Sequence, residues 1–289
     1  FVFAFIYRQL PPLDTLTDYR PKVPLRIWSA DGKLIGEFGE ERRDFVHLSE
    51  IPAHVKDAIL CAEDADFYEH PGIEITGILR AAVINVLMGR RAQGGSTITQ
   101  QVARNFFLTS ERTYTRKLYE IAMSFKIESQ LTKDEILEIY MNQIYLGQRA
   151  YGFSSAARTY FGRPLSELSV GEAATLAGLP VAPSAYNPIV NPTRATMRRN
   201  YVLRRMYDLG RIDELTYQSE KAQPMQTRRI ASEEERIASG EKDDKVTAHY
   251  AAELARMLVY DIFGEETYSR GKICEQAKGR WTNEWAACP

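Results

Sequence analysis

The sequence has few residues of the kinds that bind metals or form disulfides. Its 289 residues include three cysteines and four histidines, which form neither a CxxC nor an HExxH motif. A structural or catalytic zinc site therefore has no support in the sequence. Cys61 is interpreted as a small buried apolar residue, whereas a disulfide between Cys274 and Cys288 in an oxidising compartment is neither favoured nor disfavoured.

The chain also lacks an excess of charge and a long apolar run. Its formal net charge is −1, so we expect no nucleic-acid partner. Residues 1–7 are apolar and aromatic, but a helix that crosses a bilayer needs about 20 such residues. Because Arg8 and Pro11-Pro12 come next, residues 1–22 are interpreted as a surface segment or as a membrane-exit segment.

The periodicity of helices dominates the rest of the sequence. Two β-favouring runs within residues 25–39, joined by Asp31-Gly32, predict a small β-hairpin near the N-terminus. Most of the chain after this hairpin has apolar residues at helical spacing. The stripes are Val55, Ile59 and Ala62; Ile78, Leu79, Ala82, Val83, Val86 and Leu87; Leu137, Met141 and Ile144; and Val202, Met206 and Leu209. The sequence therefore predicts a mainly α-helical fold.

Local signals divide the chain into segments. Thr132 with Glu135 and Ser169 with Glu172 form two capping boxes, each of which predicts the start of a helix. Residues 226–245 are mostly charged and are predicted to be a linker. The predicted order is a main domain over 23–225, this linker, and a connector helix with an irregular tail over 246–289.

A cluster of carboxylates lies where the first of these helices should end. Glu63 comes one turn after Ile59, at the edge of the apolar face, where it would be partly desolvated. Desolvation raises the pKa of a carboxyl group, and the neighbouring Asp64 and Asp66 raise it further, as suits a general base. Taken alone, however, the cluster fits a solvated helix end better than a catalytic site.

A glycine turn at Gly94-Gly95 opens a second helix of interest. This helix carries an apolar stripe of Ile98, Val102 and Phe106 and an opposite polar stripe of Thr97, Gln101 and Arg104. We expect the apolar stripe to pack and the polar stripe to face a ligand, because the free N–H groups at a helix start attract anions. An ordinary N-cap with polar residues facing solvent is equally compatible with the pattern.

A third candidate site lies in the segment RKLYE. Arg116 and Glu120 are four residues apart with the base first, which is the weaker orientation for a helix salt bridge. Arg116 and Lys117 can instead bind a phosphate, while Glu120 orients them or helps to hold a divalent cation. The apolar stripe of this helix is Leu118, Ile121 and Phe125. Simple helix stabilisation remains the ordinary alternative.

Five segments, taken together, resemble the signature motifs of glycosyltransferase family 51. This family is the peptidoglycan polymerase domain of class A penicillin-binding proteins. The segments read EDADFYEHPG, GGSTITQQVARN, RKLYE, KDEILEIYMNQIYLG and RRNYVLRRM, and the resemblance covers residues 23–225. It implies a mainly helical, two-lobed, lysozyme-like fold. The transpeptidase motif KTG is absent, so we expect glycan polymerisation without crosslinking.

The resemblance also implies a reaction and a set of site residues. The enzyme would polymerise lipid II by inverting glycosyl transfer and release undecaprenyl pyrophosphate, on the periplasmic face of the bacterial inner membrane. Glu63 would be the catalytic base and Glu120 a second catalytic residue. The implied substrate-binding residues are Asp64, Phe67, His70, Ser96, Thr97, Gln101, Arg104, Asn105, Arg116 and Lys117. Position 104 is often lysine in this family, so Arg104 keeps the charge but changes its geometry.

The same resemblance suggests a cofactor and partners. A Mg²⁺ or Mn²⁺ ion is implied, with Glu120 as its candidate ligand. The partners would be lipid II and the growing glycan strand, membrane lipids, and other cell-wall synthesis proteins.

Two other functions are compatible with parts of the sequence. A lysozyme-like enzyme that cleaves peptidoglycan could share the fold and the carboxylates, but glycan cleavage has no pyrophosphate leaving group for the basic residues to bind. A noncatalytic membrane scaffold would predict degenerate motifs, whereas the charged positions are intact.

Overall fold

Helices make up most of the part of the chain that the structure describes. The computed structural model describes residues 6–8, 10–13, 16, 25–28, 34–38, 42–74, 96–108, 114–228 and 257–258. The helices are α1 (Ala53–Glu63), α2 (Ile98–Phe107), α3 (Tyr114–Glu128), α4 (Lys133–Gln143), α5 (Phe153–Phe161), α6 (Val170–Ala177), α7 (Pro192–Asp208) and α8 (Glu214–Ala222). Short 3₁₀ turns occur at Leu48–Glu50 and Leu165–Glu167. The predicted mainly α-helical class is confirmed and is consistent with a lysozyme-like domain; the two-lobed arrangement stays a prediction.

The predicted β-hairpin is also confirmed. Strand β1 (Leu25–Trp28) pairs antiparallel with β2 (Leu34–Phe38), and Leu25 lies opposite Phe38. The predicted Asp31-Gly32 turn lies outside the described residues. Two very short strands come later in the chain, β3 (Arg42–Arg43) and β4 (Ala150–Tyr151).

The chain divides into two compact units. One consists of Phe1–Tyr19 and Phe45–Thr227, the other of Arg20–Asp44 and Arg228–Pro289. Several predictions lie outside the described residues: the helix over 78–87, the Gly94-Gly95 turn, the linker from residue 229, the connector helix apart from residues 257–258, and the Cys274–Cys288 pair. The predicted domain boundaries stay predictions.

Helix α1 lies in the core of the first unit. It packs against α6 and α7, which also pack against each other. Val55 and Ile59, both on its predicted apolar stripe, are completely buried. Burying an aliphatic side chain of this kind stabilises the fold by about 1.5–3 kcal/mol. The predicted stripes of α4 and α7 are buried in the same way at Leu137, Met141, Val202 and Met206. Leu209 is 43% exposed instead, because it lies past the last turn of α7. Cys61 is buried as predicted, and burial raises the pKa of its thiol to about 11.

Both predicted capping boxes are present. The Thr132 side chain accepts a hydrogen bond from the Glu135 amide, and the Glu135 carboxylate accepts one from the Thr132 amide. That bond lowers the pKa of Glu135. Ser169 and Glu172 make the same reciprocal contacts at the start of α6. These helix starts need only residues that are close in sequence.

The predicted apolar stripe of α3 is not its buried face. Leu118 and Phe125 are 47% and 37% exposed, and the buried apolar residues are Ala122, Met123 and Ile127. Glu120 and Ser124 lie buried on this side of the helix as well. The phase of the helix is thus set by residues with polar partners inside the protein, which an apolar pattern does not reveal.

The N-terminal segment contributes to the core of the first unit. Its apolar side chains Ile6, Leu10, Leu13 and Leu16 are buried there. Lys126 of α3 donates a hydrogen bond to the carbonyl oxygen of Pro11 at 2.8 Å. None of the helices in the described ranges is long and apolar enough to cross a membrane. A membrane-exit role for residues 1–22 stays a prediction.

Candidate active site

Glu63 is the last residue of α1, and its two carboxylate oxygens differ in their surroundings. Oε2 accepts a hydrogen bond of 2.7 Å from Nε2 of Gln101. Oε1 is buried and has no hydrogen-bond partner among the described residues. Burial raises the pKa of this carboxyl group, while the Gln101 bond and the charges of Arg198 and Arg104 oppose the rise. Glu63 therefore has a buried oxygen without a hydrogen bond from the described residues, on a carboxyl group with a raised pKa, as suits a general base.

Asp64 joins the end of α1 to the start of α2. Its Oδ1 lies 2.9 Å from Nε2 of His70, and its Oδ2 accepts a 2.9 Å hydrogen bond from the backbone amide of Ile98. Asp64 is buried. Its negative charge raises the pKa of Glu63, as predicted, but it is the least of the causes. Asp66 is exposed and is not among the groups that shift this pKa, so that part of the prediction is wrong.

The first turn of α2 is buried on both sides, contrary to the predicted division into a packed face and a ligand face. Thr97 is the N-cap: its hydroxyl accepts a hydrogen bond from the Gln100 amide and donates one of 2.7 Å to the Gly72 carbonyl. Thr97, Thr99, Gln100 and Gln101 are all buried, because each has a partner inside the protein. Ile98 and Val102 are buried as predicted, while Phe106 is only half-buried.

A cluster of opposite charges lies at the start of α3. Glu120 is almost completely buried. Its Oε1 contacts Nζ of Lys117, and its Oε2 lies 3.6 Å from Nη1 of Arg116. Lys117 also donates hydrogen bonds to Oγ of Ser96 at 3.0 Å and to Oε1 of Gln100 at 3.4 Å. The carboxylate of Glu120 thus orients two cations, and Lys117 retains an exposed portion of 37%.

The first turn of α2 connects this cluster to the base. Gln100 accepts from Lys117, and the next residue, Gln101, donates to Glu63. Arg104, one turn further along α2, is half-buried and acts on the pKa of Glu63. Asn105 is exposed. The structure therefore brings Ser96, Gln101, Arg104, Lys117 and Glu120 to one region beside Glu63.

Phe67 and His70 are internal residues of the 64–72 turn. Phe67 is completely buried, with its ring edge-on to those of Tyr68 and His70. His70 is buried against Asp64, and its Nδ1 has no hydrogen-bond partner within the described ranges. These contacts shape the turn that comes after the base.

The described side chains were compared with the needs of a metal centre at Glu120. Within the described ranges, no three His, Cys, Asp or Glu residues come together in a way that could hold a metal ion. Glu120 already has two cationic partners. The donor set thus does not fit a resident divalent cation, and the implied Mg²⁺ or Mn²⁺ stays a prediction.

Two residues of the site were missed in the sequence. Arg198 on α7 lowers the pKa of Glu63; its guanidinium lies 4.6 Å from the Tyr201 ring, and its Nε is buried with no hydrogen-bond partner among the described residues. Tyr140 on α4 is buried, and its hydroxyl donates to Gln101 Oε1 at 3.4 Å. Burial, followed by the charge of Glu63, raises the pKa of Tyr140 well above 10. In the sequence, the only indication of Arg198 was the pair of adjacent arginines Arg198-Arg199 at the start of the fifth family segment. Arg199, the other member of this pair, does not act on Glu63 but donates hydrogen bonds to the carbonyl oxygens of Gln223 and Lys221.

Comparison with known proteins identifies the family. A family model described as Transglycosylase matches residues 31–207. The chain belongs to the transglycosylase family. This confirms the resemblance to glycosyltransferase family 51 and, with it, the prediction of a transferase of peptidoglycan synthesis. The match spans α1 to α6 and all but the last residue of α7, and so every residue of the candidate site.

Relatives of this transglycosylase chain are penicillin-binding proteins. It is 49% identical over 266 residues to penicillin-binding protein 1A of Neisseria flavescens and 45% identical over 269 residues to that of Pseudomonas aeruginosa. These alignments cover 92% and 93% of this chain and 32% of each relative, so the chain spans about a third of their length. The 2.6 Å crystal structure of penicillin-binding protein 1A from Haemophilus influenzae aligns with 30% identity and a TM-score of 0.47, covering 86% of this chain and 26% of that one.

Proposed function

We propose that this chain polymerises lipid II into glycan strands by inverting glycosyl transfer and releases undecaprenyl pyrophosphate. The observation that carries the proposal is that the carboxylate of Glu63 lies in the same region as two cations, Lys117 and Arg116, that Glu120 holds in place. Glu63 Oε1 has no hydrogen-bond partner among the described residues, and the adjacent residues Gln100 and Gln101 connect Glu63 to Lys117. A reaction that removes a proton and expels an anion needs both groups side by side.

The proposed step assigns a proton and a leaving group to these residues. Glu63 Oε1 takes the proton of the acceptor sugar hydroxyl, which we propose, from the family resemblance, to be the 4-hydroxyl of N-acetylglucosamine. The oxygen forms its bond to the donor's anomeric carbon while the bond from that carbon to the pyrophosphate breaks, which inverts the configuration. Lys117 and Arg116 stabilise the negative charge that develops on the pyrophosphate, because cations already held in place need no reorganisation in the transition state.

Glu120 has an orienting role in this proposal. Its buried carboxylate holds Lys117 and Arg116 from one side, so both positive charges keep a fixed position from which they can attract phosphate oxygens. Ser96 and Gln100 hold Lys117 from the other side. We further propose that the protein works at the outer face of the bacterial inner membrane, with membrane lipids and other cell-wall synthesis proteins as partners.

The test is polymer formation from lipid II by the purified protein in detergent. We expect wild-type protein to produce glycan strands and Glu63→Gln to lose about 10²–10⁴-fold in rate, the usual contribution of a general base. Glu69→Gln is the matched control, because Glu69 is an exposed acid of the same turn.

Three outcomes would overturn the proposal. Unchanged polymerisation by Glu63→Gln would remove Glu63 from the role of base. Release of fragments from purified sacculi without polymerisation would favour a peptidoglycan-cleaving enzyme. Binding of lipid II without turnover, under all metal and detergent conditions, would favour a scaffold.

A further inference from the structure

The ion pair between Glu128 and Lys133 has no role in the proposed reaction. Glu128 ends α3, and Lys133 begins α4. Nζ of Lys133 lies 2.8 Å from Oε1 of Glu128, and the two side chains are only 20% and 11% exposed. Neither residue takes part in the contacts that hold Glu63 to Gln101 or Lys117 to Glu120. Lys133 lies in the fourth family segment, and Glu128 lies outside all five.

Each partner of this pair holds one of the two elements that meet at the base. Lys133 Nζ donates a 2.6 Å hydrogen bond to the carbonyl oxygen of His70, in the 64–72 turn. It also lies 4.5 Å from the centre of the Phe67 ring in that turn. Glu128 Oε1 accepts a 2.5 Å hydrogen bond from the hydroxyl of Thr99, in the first turn of α2. The pair therefore bridges the turn after Glu63 and the helix that carries Gln101.

The glycine in this turn shows how closely Glu128 approaches it. Gly72 has a φ of +86°, and a Cβ built at this position would lie 2.9 Å from Cγ of Glu128 and 3.3 Å from the Ser124 carbonyl oxygen. The Gly72 carbonyl accepts the Thr97 hydroxyl at 2.7 Å. The turn is thus held between α2 on one side and the end of α3 on the other, with no space for a side chain.

We propose that Glu128 and Lys133 are positioning residues for the base. They hold the 64–72 turn and the first turn of α2 at the separation at which Gln101 bonds to Glu63. Thr99 and Gln101 are two residues apart on α2, so they point to nearly opposite sides of the helix. Glu128 fixes this turn of α2 from one side while Gln101 contacts the base on the other. This inference rests on the proposed role of Glu63.

The expected effect follows from how catalytic geometry depends on small displacements. A misplacement of about 1 Å can cost about 10²-fold in rate. Loss of the pair should therefore lower kcat, whereas KM for lipid II should change by less than about twofold because neither residue belongs to the proposed substrate site.

The pH profile gives a readout that a merely structural ion pair would not change. The Gln101 hydrogen bond lowers the pKa of Glu63, so a loosened bond should let that pKa rise. The acid limb of kcat/KM would then move to higher pH. The other groups that act on the pKa of Glu63, namely Arg104, Arg198 and Asp64, remain in these variants. Tyr140, whose own pKa is raised by the charge of Glu63, remains as well.

The experiment compares three variants at the bridge with two controls. Glu128→Gln keeps the volume and an oxygen acceptor, Thr99→Val removes only the hydroxyl donor, and Lys133→Met removes the cation. The controls are Arg163→Met and Glu172→Gln, which break an ion pair between the end of α5 and α6, where no site residue lies. We expect a 10- to 100-fold lower kcat and a raised acid limb in the three variants, and neither change in the controls.

The outcomes separate this inference from the proposed function. Normal kcat and an unmoved acid limb in folded Glu128→Gln and Thr99→Val, or equal losses in the controls, would overturn the positioning role. Should Lys133→Met fail to fold, the two volume-conserving variants decide. Wild-type protein without polymerase activity would reject the proposed function itself, whereas active wild-type protein with unaffected variants would reject only this inference.

Discussion

Gln101 donates a 2.7 Å hydrogen bond to Oε2 of Glu63 and leaves the buried Oε1 of the same carboxylate without a partner among the described residues. This hydrogen bond fixes the orientation of the carboxylate, because α2 holds one oxygen, while the other has no hydrogen bond from the described residues and is the atom that we propose as the base. It also sets the protonation behaviour of Glu63, since burial raises its pKa and Gln101 opposes the rise.

Replacing the base should stabilise the protein. The pKa of Glu63 is raised above the usual 4.5, so ionisation costs more in the folded than in the unfolded chain. This cost is absent below pH 4.5, develops as the pH rises through the folded pKa, and is complete above it. Glu63→Gln should therefore melt at a higher temperature than wild type at neutral pH, and the difference should vanish at low pH. Calorimetry as a function of pH tests this, and an equal or lower Tm at neutral pH would contradict it.

Removing the Gln101 amide should shift the pH dependence of activity. Gln101→Leu loses a hydrogen bond to a charged group, worth about 1.5–3 kcal/mol, so we expect a rate loss of roughly 10- to 100-fold. The acid limb of kcat/KM should move to higher pH, because Glu63 then becomes harder to ionise. Gln130→Leu, at an exposed position in the loop after α3, should leave the profile unchanged. An acid limb at the same pH in both variants would argue against this interaction.

Replacing Gly72 by alanine should destabilise the protein in two ways, through backbone strain at its positive φ and through overlap with Glu128, and a second glycine allows these two effects to be measured separately. Gly210 also has a positive φ, +67°, but a Cβ there meets nothing within 4 Å. Gly210→Ala should cost about 1–2 kcal/mol of stability from backbone strain alone. Gly72→Ala should cost about 1–3 kcal/mol more, because its Cβ would overlap Glu128. Denaturant unfolding of the two variants measures the difference, and equal losses would mean that Glu128 moves aside.

Lys117 should matter far more for turnover than another lysine of the same helix. Lys117→Met removes a positive charge from the proposed pyrophosphate site, for which we expect a fall in kcat/KM of about 10²–10³-fold. Lys126→Met is the matched control, because Lys126 on α3 bonds to backbone carbonyls of the N-terminal segment instead. Steady-state kinetics with lipid II provide the measurement. Similar values for the two variants would exclude Lys117 from stabilising the leaving group.

The sequence predicted those parts of the fold that depend on neighbouring residues. Thr132 and Glu135 satisfy the backbone amides of the same helix turn, so the capping box alone predicts where α4 begins. Val55 and Ile59 repeat at helical spacing, and the structure buries both. The family motifs led to Glu63 and to the Lys117–Glu120 cluster, and the structure places these groups in one region.

Packing between distant segments was not predictable in the same way. The apolar stripe Leu118–Phe125 suggested the wrong inner face for α3, because the buried Glu120 is stabilised by Lys117, which in turn is held by Ser96 and Gln100. Likewise, the polar first turn of α2 suggested a face that meets a ligand, whereas its polar side chains are buried against partners from other elements. A buried polar residue is energetically acceptable only where partners from other elements meet it.

By itself, then, the sequence determined the helical class, the helix starts, the transglycosylase family and the identity of the carboxylate that we propose as the base. Only the tertiary structure decided that Gln101 occupies one oxygen of Glu63, that Arg198 and Tyr140 act on the site, and that Glu128 and Lys133 bridge its two supporting elements. The reason is physical. Local hydrogen bonds and periodic burial are encoded within a few residues, whereas the charge and the orientation of a buried carboxylate depend on side chains that meet only when α1, α2, α4 and α7 pack together.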